Sequence, residues 1–244
     1  GEATKLSHCL VDARKKYRFM IKFGVQTDSA DRAGKIINTT NIIPTKAECY
    51  EVVQKFIGDI EQTPPIFSAI KVNGKRAYDL ARNNQEVVLS SRVITIFDLV
   101  CIGYDEPNQT AIYEVECSKG TYVRSLAEDI AFSLQSLGFV LELARIKVGM
   151  FVVENSIDFT AITLKSPEDA ISQLLSKVLR IDAVLADIPV LDADDDIAYK
   201  IKCGQAVDFN AADSDFVWIR YLNNVLAIGA LNQGRFDSKR VFNL

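Results

Sequence analysis

Residues 92–134, RVITIFDLVCIGYDEPNQTAIYEVECSKGTYVRSLAEDIAFSL, carry the change of period on which the fold class turns. From Arg92 to Tyr104, and again from Thr110 to Cys117, apolar side chains alternate with polar ones and β-branched and aromatic residues dominate, the pattern of a half-buried strand. The Asp105-Glu106-Pro107-Asn108 stretch between them is turn chemistry, so an antiparallel hairpin is expected. Val123, Leu126, Ala127, Ile130 and Leu134 then recur at helical spacing, with Thr121 available as a cap and Gly138 as the stop.

The same periods extend outward. Tyr17, Phe19, Ile21 and Phe23 alternate with Arg18, Met20 and Lys22, a strand that Gly24 ends. Thr27 to Gly34 reads as a polar loop, and Thr45 with Glu48 as a capping box opening a helix through Val52, Val53 and Phe56. Pro64-Pro65 bars any helix. Ile66 to Val72 reads as a strand, Asn73-Gly74 as a tight turn, and Lys75 to Arg82 as a short helix. A strand over Phe139 to Val153 and a helix opened by Ser166-Pro167-Glu168-Asp169 follow. Beyond Asp182 come an acidic linker and two strands, Phe216 to Tyr221 and Val225 to Leu231, hinged at Asn223-Asn224. Strands and helices mix without regular βαβ alternation, which predicts an α+β class with a largely antiparallel sheet. The expected division is residues 1–181 and a small β-rich domain over 182–244.

Composition narrows the chemistry. Of 244 residues 48% are hydrophobic and 25% charged, the mix of a globular protein, and no apolar run approaches the ~20 residues of a bilayer span. A cytoplasmic location without membrane contact is expected. The five cysteines are widely spaced and read as small buried hydrophobes. With one histidine, His8, neither a zinc site nor Ser-His or Cys-His catalysis is indicated, so no metal is expected. Carboxylate, tyrosine, lysine and arginine remain for chemistry. The net charge of −4 counts against nucleic-acid binding. Its distribution does not: Arg14, Lys15, Lys16, Arg18 and Lys22 cluster, as do Lys71, Lys75, Arg76 and Arg82, while acids collect between Asp182 and Asp196.

Three segments resemble one family. Gln62-Thr-Pro-Pro-Ile-Phe-Ser-Ala-Ile-Lys-Val-Asn-Gly-Lys-Arg-Ala-Tyr-Asp-Leu-Ala-Arg82 resembles the Pro-Pro, aromatic-Ser-Ala, Lys, Gly-Lys, Tyr, Ala-Arg pattern of the TruB pseudouridine synthases. Cys117-Ser-Lys-Gly-Thr-Tyr-Val-Arg-Ser-Leu126 is similar to that family's Ser-Lys-Gly-Thr-Tyr-hydrophobic-Arg motif, and Gly1-Glu-Ala-Thr-Lys5 with Lys16-Tyr17-Arg18 to its early motif. Gln233-Gly-Arg235 and Lys239-Arg-Val-Phe242 resemble its RNA-binding C-terminal domain of PUA type.

The resemblance implies a pseudouridine synthase fold, in which a mixed sheet is flanked by helices, with a PUA-like domain after it. It implies conversion of uridine to pseudouridine in the T arm of tRNA, at position 55, with no cofactor and no obligate protein partner. Tyr17 would stack on the flipped base and Arg124 would pair with the nucleophilic aspartate; Tyr122 and Leu143 would line the uracil pocket. Lys71, Lys75, Arg76, Arg82 and Lys119 would meet RNA phosphates, with Arg235, Lys239 and Arg240 further on. From the residues alone, Tyr17 is an ordinary strand tyrosine, Tyr122 and Leu143 are core, and Arg124 pairs with Glu128 one helical turn on.

Two departures matter. The family's usual Leu-Arg-Arg is Leu143-Ala144-Arg145 here, which removes one arginine contact. The family's aspartate stands in a Gly-x-Leu-Asp loop before Gly-Glu-Ala-Thr-Lys, and Gly-x-Leu-Asp occurs nowhere in the 244 residues. The chain, opening directly on Gly1, therefore reads as a fragment, expected to be inactive alone. One competing expectation is a tRNA-binding or tRNA-folding protein without catalysis; another, from the net charge, is an acidic protein-interaction module.

Overall fold

The alternation of Tyr17, Phe19, Ile21 and Phe23 becomes the middle of a six-stranded sheet in the computed structural model, which describes residues 1–244 other than Asn73, Asn84, Glu86, Leu164 and Leu244. In chain order the strands are β1 (Lys15–Phe23), β2 (Val25–Thr27), β3 (Ile36–Thr39), β4 (Gly58–Gln62), β5 (Lys71–Val72), β6 (Lys75–Arg76), β7 (Arg92–Asp105), β8 (Thr110–Cys117), β9 (Gly138–Val148), β10 (Phe151–Val152), β11 (Val190–Asp192), β12 (Val207–Asp208), β13 (Ser214–Tyr221), β14 (Asn224–Asn232) and β15 (Arg235–Val241). The α-helices are α1 (Ser7–Asp12), α2 (Lys46–Glu51), α3 (Ala77–Arg82), α4 (Val123–Ser133), α5 (Phe159–Thr163), α6 (Pro167–Ser176) and α7 (Asp195–Lys202).

Residues 12–155 form one compact unit around the antiparallel sheet β10-β9-β1-β8-β7-β4. Its core is built by the inward residues of β1, β7 and β8 against the buried stripe of α4, among them Phe19, Ile21, Phe23, Ile96, Leu99, Tyr113, Leu126 and Ile130. Burying such side chains at about 25 cal/mol per Å² drives the packing. The expected α+β class and the hairpin of β7 and β8 are as read.

The second unit comprises residues 1–11 and 156–244. Its sheet runs β11-β13-β14-β15-β12, parallel only between β11 and β13. The tight turn between β13 and β14 holds Leu222 and Asn223 at φ of 47° and 60°, the left-handed pair that matches a hairpin's twist. The opening helices belong here because Leu6 buries its side chain with Leu185, Trp218, Val225, Ile228 and Phe242, while Lys5 Nζ donates to Val241 O at 2.8 Å. The compact units thus divide at 11/12 and 155/156, where the sequence reading placed a single boundary after 181.

Several local expectations change. The capping box holds, with Thr45 N donating to Glu48 Oε2 at 2.7 Å, but α2 tightens into a 3-10 helix at Val52–Phe56. Of the strand expected over residues 66–72 only β5 forms. The carbonyls of Ser68 and Ile70 instead accept the first N–H groups of α3, from Tyr78 at 3.0 Å and Ala77 at 2.7 Å, satisfying donors that a helix N-terminus leaves open. Half of the Asn73-Gly74 turn lies outside the described residues. The Phe139–Val153 strand is interrupted between β9 and β10 at Gly149, whose φ is 52°. Tyr122, not Thr121, is the N-cap of α4; the Thr121 hydroxyl donates instead to Ser118 O at 3.1 Å. Among the cysteines Cys49, Cys101 and Cys117 are buried, whereas Cys9 is half-buried and Cys203 exposed.

Candidate active site

The polar loop after β2 is wired to itself. The Thr27 hydroxyl donates to Asp31 O at 2.8 Å, and Asp31 Oδ1 accepts from Ser29 Oγ at 2.7 Å and from Ala33 N at 3.0 Å. Ala30 sits at φ 58°, a left-handed conformation that costs a non-glycine residue energy and that these bonds enforce. Gly34 closes the loop because a Cβ there would stand 2.4 Å from Ser29 Oγ and 2.9 Å from Ser29 N. The loop docks on β9, Arg32 N donating to Val140 O at 3.1 Å and Val140 N to Ala30 O at 3.0 Å.

With Oδ1 occupied inside the loop, Asp31 turns Oδ2 to Arg124 on the first turn of α4, 3.1 Å from Nη1. The same Nη1 donates to Ser29 O at 3.0 Å, and Nη2 donates to Phe67 O at 2.9 Å. Two chain segments, the 27–34 loop and the one that carries Phe67, therefore converge on one guanidinium. The helix pairing of Arg124 with Glu128 does not form: no ion pair links them, and the Glu128 carboxylate accepts from Gln26 Nε2 at 3.3 Å. Burial raises the Glu128 carboxyl and, acting alone, pushes Asp129 up to about 6.

Asp31 and Arg124 line a cavity of about 520 Å³ together with Arg32, Ala33, Glu142 and Leu143. Leu143 is 48% exposed on its wall, not core. Tyr17, on the inward-facing row of β1, packs partly buried against the core and stands across from Arg145 in the ladder. Tyr122 opens α4 two residues before Arg124, its ring 5.0 Å from the Arg92 guanidinium. Arg124 and Leu143 thus share one cavity, while Tyr17 and Tyr122 are not among its lining residues. Asp31 had no sequence motif to mark it; the run of Thr27, Asp28, Ser29 and Asp31, all able to bond backbone locally, was the available signal.

The expected RNA-facing residues are spread differently. Lys71, Lys75 and Arg76 border a second cavity of about 580 Å³ with Asp79 and Asn83. Arg76 and Arg82 flank the Tyr78 ring at 5.9 and 5.5 Å, and Arg76 Nη1 donates to Tyr78 OH at 3.1 Å. Lys119 is exposed and ion-paired with Asp12 at 2.6 Å. The early basic cluster is partly spent on the protein itself: Lys16 and Arg18 both clasp Glu114, at 2.8 and 2.6 Å, and Arg14 covers the Phe97 ring at 3.7 Å. Among the described residues no group of three or more His, Cys, Asp or Glu could hold a metal ion, and no helix is long and apolar enough to cross a membrane.

The sequence model of the TruB family pseudouridylate synthase N-terminal domain matches residues 1–123. A tRNA pseudouridine synthase B from Rickettsia bellii (strain OSU 85-389) is 56% identical over 248 residues, covering all of this chain and 82% of the relative. The chain belongs to the TruB family of pseudouridylate synthases. A second such relative, from Rickettsia akari (strain Hartford), is 53% identical over 246 residues with the same coverage. Among solved structures, a chain of a Cbf5-Nop10-Gar1 complex superposes with a TM-score of 0.68 at 20% identity, covering 99% of this chain and 69% of that one. That likeness is one of fold. The polar groups that converge at the Arg124 cavity make it the candidate functional site.

Proposed function

We propose that this chain, supplied with a Gly-x-Leu-Asp loop, isomerises uridine to pseudouridine in tRNA, and that the target lies in the T arm at position 55. The observation that carries the reading is Arg124, gripped by Asp31, Ser29 O and Phe67 O on the wall it shares with Leu143. Family membership and the names of the Rickettsia relatives support the reaction and the tRNA substrate.

The reaction breaks the C1′–N1 bond, turns the base and rejoins it through C5, C5 losing a proton and N1 gaining one, so product and substrate are isomers and no co-substrate is consumed. A carboxylate attacks the nucleotide, and it must stay ionised and aimed in a pocket that has lost water. A guanidinium carries five N–H donors. Three are used by Ser29, Asp31 and Phe67, and the rest remain for a nucleophilic carboxylate. Asp31 and the two carbonyls set the direction in which those donors point. Tyr17 stacks on the base taken out of its helix, and Tyr122 and Leu143 form the apolar wall of the uracil pocket. Lys71, Lys75, Arg76 and Arg82 neutralise phosphates, with Tyr78 as a stacking platform between the arginines. The β-rich unit around β13 to β15 adds Arg235, Lys239 and Arg240.

A second reading, tRNA binding without catalysis, is favoured by one observation: the 244 residues contain no Gly-x-Leu-Asp. The test is to map pseudouridine in a tRNA transcript after incubation with a chain that carries that loop ahead of Gly1. Product at position 55, lost when that uridine is changed to cytidine, is expected. Product at another position would refute the T-arm assignment, and binding with no product would favour the second reading.

A further inference from the structure

Gln62 is the last residue of β4 and is 1% exposed, yet it carries an uncharged amide that must be satisfied in the interior. Both halves of that amide go to one residue. Tyr122 N donates to Gln62 Oε1 at 2.7 Å, and Gln62 Nε2 donates to Tyr122 O at 3.1 Å. The side chain thus stands in for a neighbouring strand, pairing with the N–H and C=O of a single residue as a ladder partner would. A primary amide suits this because it offers a donor and an acceptor in one plane.

The residue so held begins α4. Tyr122 is the N-cap and has no side-chain cap bond; its carbonyl also accepts the first helical bond, from Leu126 N at 3.1 Å. The Ser125 hydroxyl donates to Thr63 O at 2.9 Å, so the exit of β4 grips the first turn of the helix a second time. Arg92, directly across the ladder from Gln62, donates from Nη2 to Gly120 O and lies over the Tyr122 ring. Peptide and ring of Tyr122 are held by one cross-strand pair.

We infer that Gln62 is a positioning residue for pseudouridylation: by clamping both backbone groups of Tyr122 it fixes the start of α4, and with it the direction of Arg124 two residues later. The inference rests on the reading of Tyr122 and Arg124 as site residues. It differs from an ordinary core role in its consequence. A packing residue sets how much protein is folded, whereas this one sets where a guanidinium points in protein that is already folded. A misplacement of about 1 Å in a catalytic group costs roughly 100-fold in rate while leaving remote phosphate contacts alone.

The test uses a chain carrying a Gly-x-Leu-Asp loop ahead of Gly1, with single-turnover rate, tRNA affinity and thermal unfolding measured on each variant. Gln62→Leu removes both bonds, and its rate should fall about 10- to 100-fold with tRNA affinity within about threefold of the parent. Gln62→Glu gives the sharper reading. Its carboxylate would face the Tyr122 carbonyl oxygen without a donor, but its protonated form is a near copy of glutamine, with an O–H for that oxygen and a C=O for the Tyr122 N–H. Burial and the facing carbonyl raise its pKa. The rate of Gln62→Glu relative to the parent should therefore climb as pH falls. In the 244-residue chain, Gln62→Leu should also speed hydrogen exchange at the Tyr122 amide.

A full rate for folded Gln62→Leu, a loss matched by the loss of affinity, or a ratio for Gln62→Glu that is flat with pH would overturn the assignment. Should Gln62→Leu fail to fold, the pH profile of Gln62→Glu decides alone. Arg124→Lys separates the two levels of argument. If it turns over normally, the site reading itself is wrong; if it is dead while Gln62→Leu is normal, only the role of Gln62 falls.

Discussion

Arg124 and Arg76 each border a cavity, and they are held in opposite ways. Arg124 has a side chain only 22% exposed and is fixed by a carboxylate and two carbonyls from two segments. Arg76 is exposed, leans on the Tyr78 ring, and stands among Lys71, Lys75 and Arg82, with Asp79 the one acid among the described residues that line its cavity. A cation whose partners dictate its direction suits the aiming of another charged group. A cation on a mobile stem among like charges suits a polyanion that arrives in many poses. The contrast is the one expected if, as proposed, the first region carries the chemistry and the second holds RNA.

The largest effect should appear in the 244-residue chain itself. Binding groups cannot replace a covalent nucleophile, so single-turnover incubation with tRNA should yield no pseudouridine, while tRNA binding that weakens with salt persists. Product formation would break the comparison at its strongest point, because the carboxylate on the cavity wall beside Arg124, Asp31, would then be the nucleophile and not the group that steadies the arginine.

Next in size is the holding surface. Replacing Lys71, Lys75 and Arg76 together by alanine should weaken tRNA binding about 10- to 100-fold near ~0.1 M salt and make the dependence of log K on log salt shallower by about 2 to 3. An unchanged slope would mean that these cations do not meet phosphates.

The smallest effect concerns Asp129, whose carboxyl is raised by burial from 3.8 to about 6. Above its ordinary value the folded state holds a proton that the unfolded chain has released, so stability from this group declines as pH rises between about 4 and 6. Asp129→Asn escapes that decline and should be more stable at pH 7 by about 1 kcal/mol, allowing for its partial exposure to solvent, with the advantage gone below about pH 4. Urea unfolding of both proteins at the two pH values measures it. A gain that persists at low pH would point to a different cause.

Much of this was legible in residue patterns, for reasons that differ by element. β1, β7, β8 and α4 are amphipathic over at least eight residues, so period alone locates them. The segment 66–70 looked like a strand because Ile66, Phe67 and Ile70 are apolar, but its carbonyls serve the start of α3, a bond that no local pattern announces. The compact units divide elsewhere than the boundary after 181 in part because Leu6 and Phe242 share one core cluster across almost the whole chain. Arg124 was found through its motif, but its partners were not. Asp31, Ser29 and Phe67 lie 57 to 95 positions away, and only tertiary structure brings them to it. Gln62 was quoted as part of a motif, while its bond to Tyr122, 60 positions on, is likewise a product of the fold.

Arg124→Lys, made in a chain that carries the Gly-x-Leu-Asp loop, is the most direct test, with tRNA affinity and single-turnover pseudouridine formation measured side by side. Lysine keeps the charge but loses the planar fork that reaches Asp31, Ser29 O and Phe67 O together. Turnover should fall by about 1,000-fold or more while affinity stays within about threefold, since the residue is taken to aim a carboxylate and not to meet phosphate. Equal losses of affinity and turnover would contradict the division between the two arginines.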